Sequence, residues 1–286
     1  MSSSAITRFA PLLFVLLWAT GFIGAKLGLP HAEPLTFLLI RYILVLGLMT
    51  VVALATRAPW PHDARHWFHI GVSGLLVHGI YLGGVYIAIA KGLPAGVASL
   101  VVGIQPLLTA VGAGWLLGEA VLARQWFGLV LGFVGVAMVV SGKLGTGFGL
   151  DALWPVLAAL AGITIGTLYQ KRFCPSFDWR TGSIAQFLPT MLLTAIVVAM
   201  TEDFRVAWTG EFIFAMGWLV LVLSIGAISL LNWLIRHGSA VNIASLFYLV
   251  PPCTALMAWG LFDERLAGTA LVGMGLAVWG VYLARK

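Results

Sequence analysis

Polar side chains are few in this sequence, and the informative ones lie half-way along apolar runs. They are Trp18 and Thr20, His78 and Tyr81, Gln105, Thr164 with Thr167, and Tyr248; Tyr86 and Asn232 take matching positions nearer the ends of two runs. Polar groups are disfavoured in hydrocarbon, so side chains at such depth usually face a bundle interior or a wet cavity. As a set they offer amides, hydroxyls and aromatic faces with hardly any charge. Such a lining suits a small zwitterion or neutral amphiphile, because Tyr and Trp can stack on an apolar group and keep a polar handle. For each residue taken singly, the plainer reading is helix packing or an interfacial belt.

Arg41 is the charge set deepest inside a run, about 10 Å from the start of its helix at 1.5 Å per residue. Its structural reading is snorkelling or a bond to backbone carbonyls; its functional reading is a partner for a substrate carboxylate or an outer gate. His78 is the titratable side chain near mid-depth and the candidate proton carrier, set against the ordinary core histidine. His62, His66 and His69 invite a metal reading, but Asp63 alone could complete a ligand set and Trp60, Trp67 and Phe68 mark an interfacial segment; no metal and no cofactor are expected. Enzymatic chemistry on lipid would need an acidic metal cluster, a His pair with a base or an activated nucleophile. None is present, no catalytic residue is assigned, and no Walker-type loop points to ATP hydrolysis.

Ten apolar runs must position these groups. A helix needs about 20 mainly apolar residues to cross a bilayer, and the runs are Phe9 to Leu29, Leu35 to Ala55, Trp67 to Ala90, Leu93 to Leu117, Val121 to Ser141, Leu153 to Tyr169, Gly182 to Met200, Phe212 to Ile235, Val241 to Phe262 and Leu266 to Ala284. Apolar residues make up 61% of the chain and charged ones 9%, a balance that a bilayer explains. The last five runs repeat the landmarks of the first five. Ala98-Ser99-Leu100, Pro106 and Glu119 recur as Ala244-Ser245-Leu246, Pro252 and Glu264, and Gly128 and Gly135 recur as Gly273 and Gly280. An odd number of spans per copy turns the second copy upside down. The expectation is an all-α membrane protein of ten transmembrane helices in two inverted five-helix repeats, 1–145 and 146–286.

Cytoplasmic loops retain Lys and Arg. Placing both termini in the cytoplasm puts Arg8, Arg57, Arg65, Arg124, Lys171, Arg172, Arg180, Arg236, Arg285 and Lys286 inside and only Lys26, Lys91, Lys143, Arg205 and Arg265 outside. The net charge of +6 is then an orientation signal, and no run of cations suggests nucleic acid. Phe9 to Trp18 could pass for the core of a signal peptide, but the apolar run continues beyond Trp18 and the duplication pairs it with the sixth helix. Cys174 and Cys253 fall at different depths, so no disulfide is expected. Pro106 and Pro252 should kink the fourth and ninth helices and open room at the centre, with Pro251 strengthening the second break. Small-residue spacing at Gly79/Gly83, Gly114/Gly118, Gly128/Gly132 and Gly162/Gly166 predicts close helix approach. Glu119 and Glu264, at helix ends, are expected to bond loops rather than carry ions.

Trp18-Ala19-Thr20-Gly21-Phe22 and Lys26, Pro34 with Arg41, Ala95-Gly96-Val97-Ala98-Ser99-Leu100, Gln125 and Gly128, then Tyr169-Gln170-Lys171-Arg172 and Ser239-Ala240-Val241-Asn242-Ile243 extend the pattern over nearly the whole chain. In this order the sequence resembles the EamA-domain members of the drug/metabolite transporter superfamily, which include bacterial exporters of amino acids and metabolites. It departs where Ala270 stands opposite Gln125 and Gln186 opposite Arg41. The resemblance implies a secondary transporter of the bacterial inner membrane that exports amino acids, aromatic and hydrophobic ones included, or related metabolites by alternating access. Downhill export is the simplest mechanism, with proton exchange through His78 second. Nucleotide sugars, cationic drugs and a lipid-modifying enzyme are the alternatives. Its partners would be a small-molecule substrate and the lipid bilayer, in a monomer or weak homodimer. Substrate contacts are expected from Trp18, Thr20, His78, Tyr81, Gln105, Thr164, Tyr248 and Asn232, and gating or structural roles from Arg41, Pro106 and Pro252.

Overall fold

The computed structural model describes residues 3–93, 95–141, 149–174, 176–262 and 267–285. Lys143, Asp263, Glu264, Arg265 and Lys286 lie outside the described residues, as do the side chains of Arg8 and Lys26. Among the described residues the structure is all-helical, with a single isolated bridge between Ala32 and Val206 in place of any strand. Among the described residues nine segments are long and apolar enough to cross a membrane: α1 (Phe9–His31), α2 (Pro34–Ala55), α3 (Ala64–Ala90), α4 (Val97–Leu117), α5 (Ala123–Val140), α6 (Leu153–Phe173), α7 (Trp179–Thr201), α8 (Gly210–His237) and α9 (Ala240–Leu261). α10 (Gly268–Ala284) is equally apolar and, at 17 residues, shorter.

The helix starts follow from local chemistry. Asp63, Asp178, Thr209 and Ser239 cap α3, α7, α8 and α9, each side chain accepting a backbone N–H of its first turn. The Arg180 guanidinium, bonded to Asp178 at 2.7 and 2.9 Å, holds that carboxyl below the usual carboxylate range. Pro34 opens α2, where the Glu202 carboxylate accepts from Leu35 and Thr36 N–H at 2.9 and 2.6 Å. α4 stops at Gly118, whose φ of +67° lies in the left-handed region.

Packing pairs each helix with members of the other half. α1 lies against α8 and α9, α6 against α3 and α4, α2 against α7, and α5 against α10. Exchanging each helix with the one five places along leaves this set unchanged. The α5–α10 contact is backbone on backbone: a Cβ at Gly135 would stand 2.5 Å from Ala277 N, and one at Gly280 would stand 2.4 Å from Gly132 N. Gly162 and Gly166 likewise admit α3. By contrast, Gly79 and Gly83 meet their neighbours only at an ordinary 3.7 Å, and Gly118 meets nothing within 4 Å.

The helices are irregular at matched places. α3 widens to i→i+5 turns over Leu75–Leu82 and α8 does so over Leu219–Ala227. α4 is interrupted at Gly103 and Ile104 before resuming at Gln105–Gly112, while α9 tightens to a 3-10 turn at Leu246–Leu249 before Val250–Phe262. Pro106, Pro251 and Pro252 sit in the first residues of the resumed helices. There the missing N–H is one that a helix start leaves unpaired in any case. The prolines thus start the second half of each broken helix.

Candidate functional site

The widened turns and the breaks surround a void of about 50 Å³ at the junction of α1, α2, α3 and α8. Trp18, Phe22, Arg41, His78, Tyr81 and Tyr86 face it, with Leu223 and Ile228 closing the α8 side. Along α3 the lining runs from Val77 to Ile89, so the void extends from mid-depth toward the end of the bundle that holds His31 and Lys91. A second void of about 30 Å³ shares Trp18, Phe22, Tyr81 and Val85 with it and reaches α4 and α9 at Ser99 and Pro251. A third, of about 10 Å³, lies toward the Lys171 end among Gln105, Thr109, Thr167, Lys171 and Ile243. Phe247 lines both the second and the third. Its ring meets those of Trp18 and Phe14 at 5.4 Å each, and Phe14 meets Trp18 at 5.2 Å. This aromatic trio divides an upper pair of voids from a lower one.

Arg41 is 3% exposed, and its Nε donates to Ser224 Oγ at 3.0 Å. Ser224 in turn donates to Leu219 O at 3.1 Å, which leaves its lone pairs to the guanidinium. Every Asp and Glu among the described residues is engaged elsewhere. Asp151, Asp178, Asp203 and Glu211 pair with Lys91, Arg180, Arg205 and His31; Glu119 pairs with Lys171; Glu33, Asp63 and Glu202 accept backbone N–H groups. Arg41 therefore has no carboxylate partner among the described residues.

Across the void, the His78 ring stacks on Phe187 with centroids 4.3 Å apart, and the Tyr42 hydroxyl donates to the His78 carbonyl at 2.7 Å. Neither ring nitrogen of His78 has a hydrogen-bond partner among the described residues. Gln186 Nε2 donates to Ser73 Oγ and Gln170 Oε1, and Gln170 Nε2 donates to Asn232 Oδ1 at 2.9 Å. This buried chain ends in two unpartnered atoms, Gln186 Oε1 and Asn232 Nδ2. His78 and Ser224 are 146 positions apart, as Ala98 and Ala244 are, and Arg41 and Gln186 are 145 apart. Arg41 with Ser224 is thus the counterpart, in the other repeat, of Gln186 with the helix that carries His78.

Of the residues singled out from sequence, Trp18, Arg41, His78 and Tyr81 meet at the large void and Gln105 lies at the small one, its Oε1 unpartnered. Thr20 lies away from the voids, donating to Leu17 O at 2.6 Å and accepting from Trp218 Nε1 at 2.9 Å to tie α1 to α8. Thr164 donates to Leu160 O within its own helix. Asn232 ends the buried amide chain, and Tyr248 packs its ring where a Cβ at Gly132 would stand 2.5 Å away. Ser224 and Phe247 had no separate signal in the sequence. The repeat offset from His78 locates Ser224, whereas Phe247 is an apolar residue in an apolar run.

At the Lys171 end, Glu119 accepts from Ala240 N–H at 2.9 Å and lies 3.5 Å from Lys171 Nζ, which also donates to Gly238 O. This latch joins the ends of α4, α6, α8 and α9 over the third void. Glu119→Ala should lower unfolding free energy by about 1.5–3 kcal/mol, the range for a charged hydrogen bond whose partners stay behind. A thermal melt in detergent that does not move would show that water replaces the carboxylate.

A profile of the EamA-like transporter family matches residues 7–141 and, a second time, residues 152–285. The chain belongs to the EamA-like transporter family. Among similar proteins, the uncharacterized transporter YvbV of Bacillus subtilis is 28% identical over 97% of this chain and 91% of its own. The uncharacterized inner membrane transporter YedA of Escherichia coli K12 is 25% identical over 94% of this chain and 87% of its own. A probable amino-acid metabolite efflux pump of the same organism is 25% identical over 95% and 92%. A solved crystal structure superposes with a TM-score of 0.78 at 22% identity, covering 99% of this chain and 97% of that one, and so shares the fold. As an EamA-like transporter the chain is a membrane protein whose helices cross the bilayer and whose work is transport, not catalysis.

Proposed function

We propose that this EamA-like transporter exports amino acids, aromatic and hydrophobic ones foremost, or closely related metabolites from the cytoplasm by alternating exposure of its central void. The observation that carries the reading is the void itself. It is walled by Trp18, Tyr81, Tyr86 and Phe22, holds one buried cation among the described residues, and is cut off from the third void by the Phe14–Trp18–Phe247 trio. The likeness to a probable amino-acid metabolite efflux pump supports the substrate class.

On this reading α10 crosses the membrane with the other nine helices, residues 1–145 and 146–286 are the inverted repeats, and the Lys171 end, richer in Lys and Arg, faces the cytoplasm of a bacterium with both termini. The likeness to an inner membrane transporter supports that location. Trp18, His78 and Tyr81 contact substrate, Gln105 lines the cytoplasmic approach, and the breaks at Pro106 and Pro252 are the joints about which the halves move. Transport runs downhill. The test is flux of radiolabelled amino acids in proteoliposomes with and without a pH gradient. The expected result is saturable flux of phenylalanine, tryptophan or leucine, indifferent to the gradient and reduced by Trp18→Ala. Flux that follows the gradient would replace the downhill mechanism by proton exchange through His78, and the absence of saturable flux for every amino acid would overturn the substrate class.

A further inference from the structure

We infer that the large void recognises its ligand through a carboxylate set against Arg41, and that it offers no anionic partner to an ammonium group, so that aromatic monocarboxylic acids without the amine are substrates at least as good as the amino acids. The inference rests on the void being the substrate site, as proposed above.

Arg41 is a permanent cation held out of water on the wall of the void. One of its nitrogens, Nε, is occupied by Ser224, and no carboxylate of the described residues reaches the guanidinium. A buried charge without a counter-charge is strongly disfavoured, and a ligand that brings one removes that penalty on binding. The guanidinium fork matches a planar carboxylate in two hydrogen bonds. Beside Arg41 the wall presents the rings of Trp18, Phe22, Tyr81 and Tyr86, which suit an aromatic or branched apolar side chain. An ammonium in the same space would find no carboxylate, only those faces and the ring of His78, and would stand in a void that already carries a positive charge. A monoanion leaves the occupied void neutral, whereas a zwitterion leaves it at one positive charge. The carboxylate and the apolar group are therefore recognised, and the amine is tolerated.

The test uses the purified full-length protein and three probes that share a benzyl group: phenyllactate, phenylalanine and phenethylamine. Binding is followed by quenching of tryptophan fluorescence, the chain having 12 tryptophans. Phenyllactate is expected to bind at least as tightly as phenylalanine, and phenethylamine at least about 30-fold more weakly than either, the lower limit for losing one member of a buried charge pair. Arg41→Gln should lose both acids, and Arg41→Lys should keep part of the affinity by keeping the charge without the fork. Because the probe series is read on the unaltered protein, it decides the matter even where Arg41→Gln does not fold. Phenethylamine binding as well as phenyllactate, or Arg41→Gln folding and binding the acids unchanged, would overturn the inference. Saturable phenylalanine flux that phenyllactate fails to inhibit would overturn it while leaving the export reading intact. Saturable phenyllactate flux without amino-acid flux would do the reverse.

Discussion

Replacing Gly280 with leucine is expected to leave no monodisperse protein on size exclusion in detergent, whereas Gly275→Ala, five residues earlier on α10, leaves the elution profile unchanged. A Cβ at Gly280 would fall 2.4 Å from Gly132 N and 2.5 Å from Gly128 O, and neither atom belongs to a side chain that can turn away. Overpacking a core costs about 1–3 kcal/mol when side chains can adjust. Here two helix backbones would have to separate along their length, so the loss should lie at or beyond the upper end of that range. Gly275 faces outward with nothing within 4 Å, and alanine there gains helix propensity of about 0.8–1.0 kcal/mol. Equal behaviour of the two variants would mean that α5 and α10 do not meet backbone to backbone.

Phe247→Ala should turn a divided path into a continuous one. Phe247 is the residue shared by the second and third voids, and its ring rests on Phe14 and Trp18. Removing the ring leaves a passage from the large void to Thr109, which is now 1% exposed in the third. The measurement is labelling of Thr109→Cys by a membrane-impermeant methanethiosulfonate added on the side where a Lys91→Cys reporter reacts. Cys253 is replaced by serine. Cys174 can stay, since it is 2% exposed and burial pushes its thiol up to about 11, which leaves little reactive thiolate. The expected result is no labelling with Phe247 in place and complete labelling with alanine. Labelling that is equal in both proteins would show that the trio is not the barrier. Substrate flux through the Phe247→Ala protein should also lose saturation, because a path open at both ends no longer has to change shape to turn over.

Much of this was legible before any coordinates, for a physical reason. Membrane-length apolar runs and the recurrence of Ala98-Ser99-Leu100 with Pro106 depend on composition and order alone, and these read directly as helices and a duplication. Depth along a helix is legible in the same way, and it led to Trp18, His78, Tyr81 and Arg41. Direction around a helix is not, because in an all-apolar run the lipid-facing and core-facing sides differ too little in polarity. Thr20 and Thr164 share the depth of the void yet satisfy their hydroxyls on their own helices, one with help from Trp218. Phe247 carries no polar mark, so its place at the constriction depends on the break at Leu246–Leu249, which sets its ring against α1. The widened turns in α3 and α8 have no proline to announce them. The latch at Lys171 was half legible: Glu119 reads as a helix-end residue, but the partner it finds depends on how the two halves close.

The exchange of partners between halves bears on how the molecule comes into being. α1 rests on α8 and α9, α2 on α7 and α5 on α10, so the first five helices have few of their final neighbours when they emerge from the ribosome. About 145 further residues must be made first, which at about 5–20 residues per second takes roughly 10–30 s. During that interval the glycine face of α5 lacks α10 and the Nε of Arg41 lacks Ser224. The nascent half therefore waits in the bilayer with few of its final contacts, and most of the packing forms only with the arrival of the second copy.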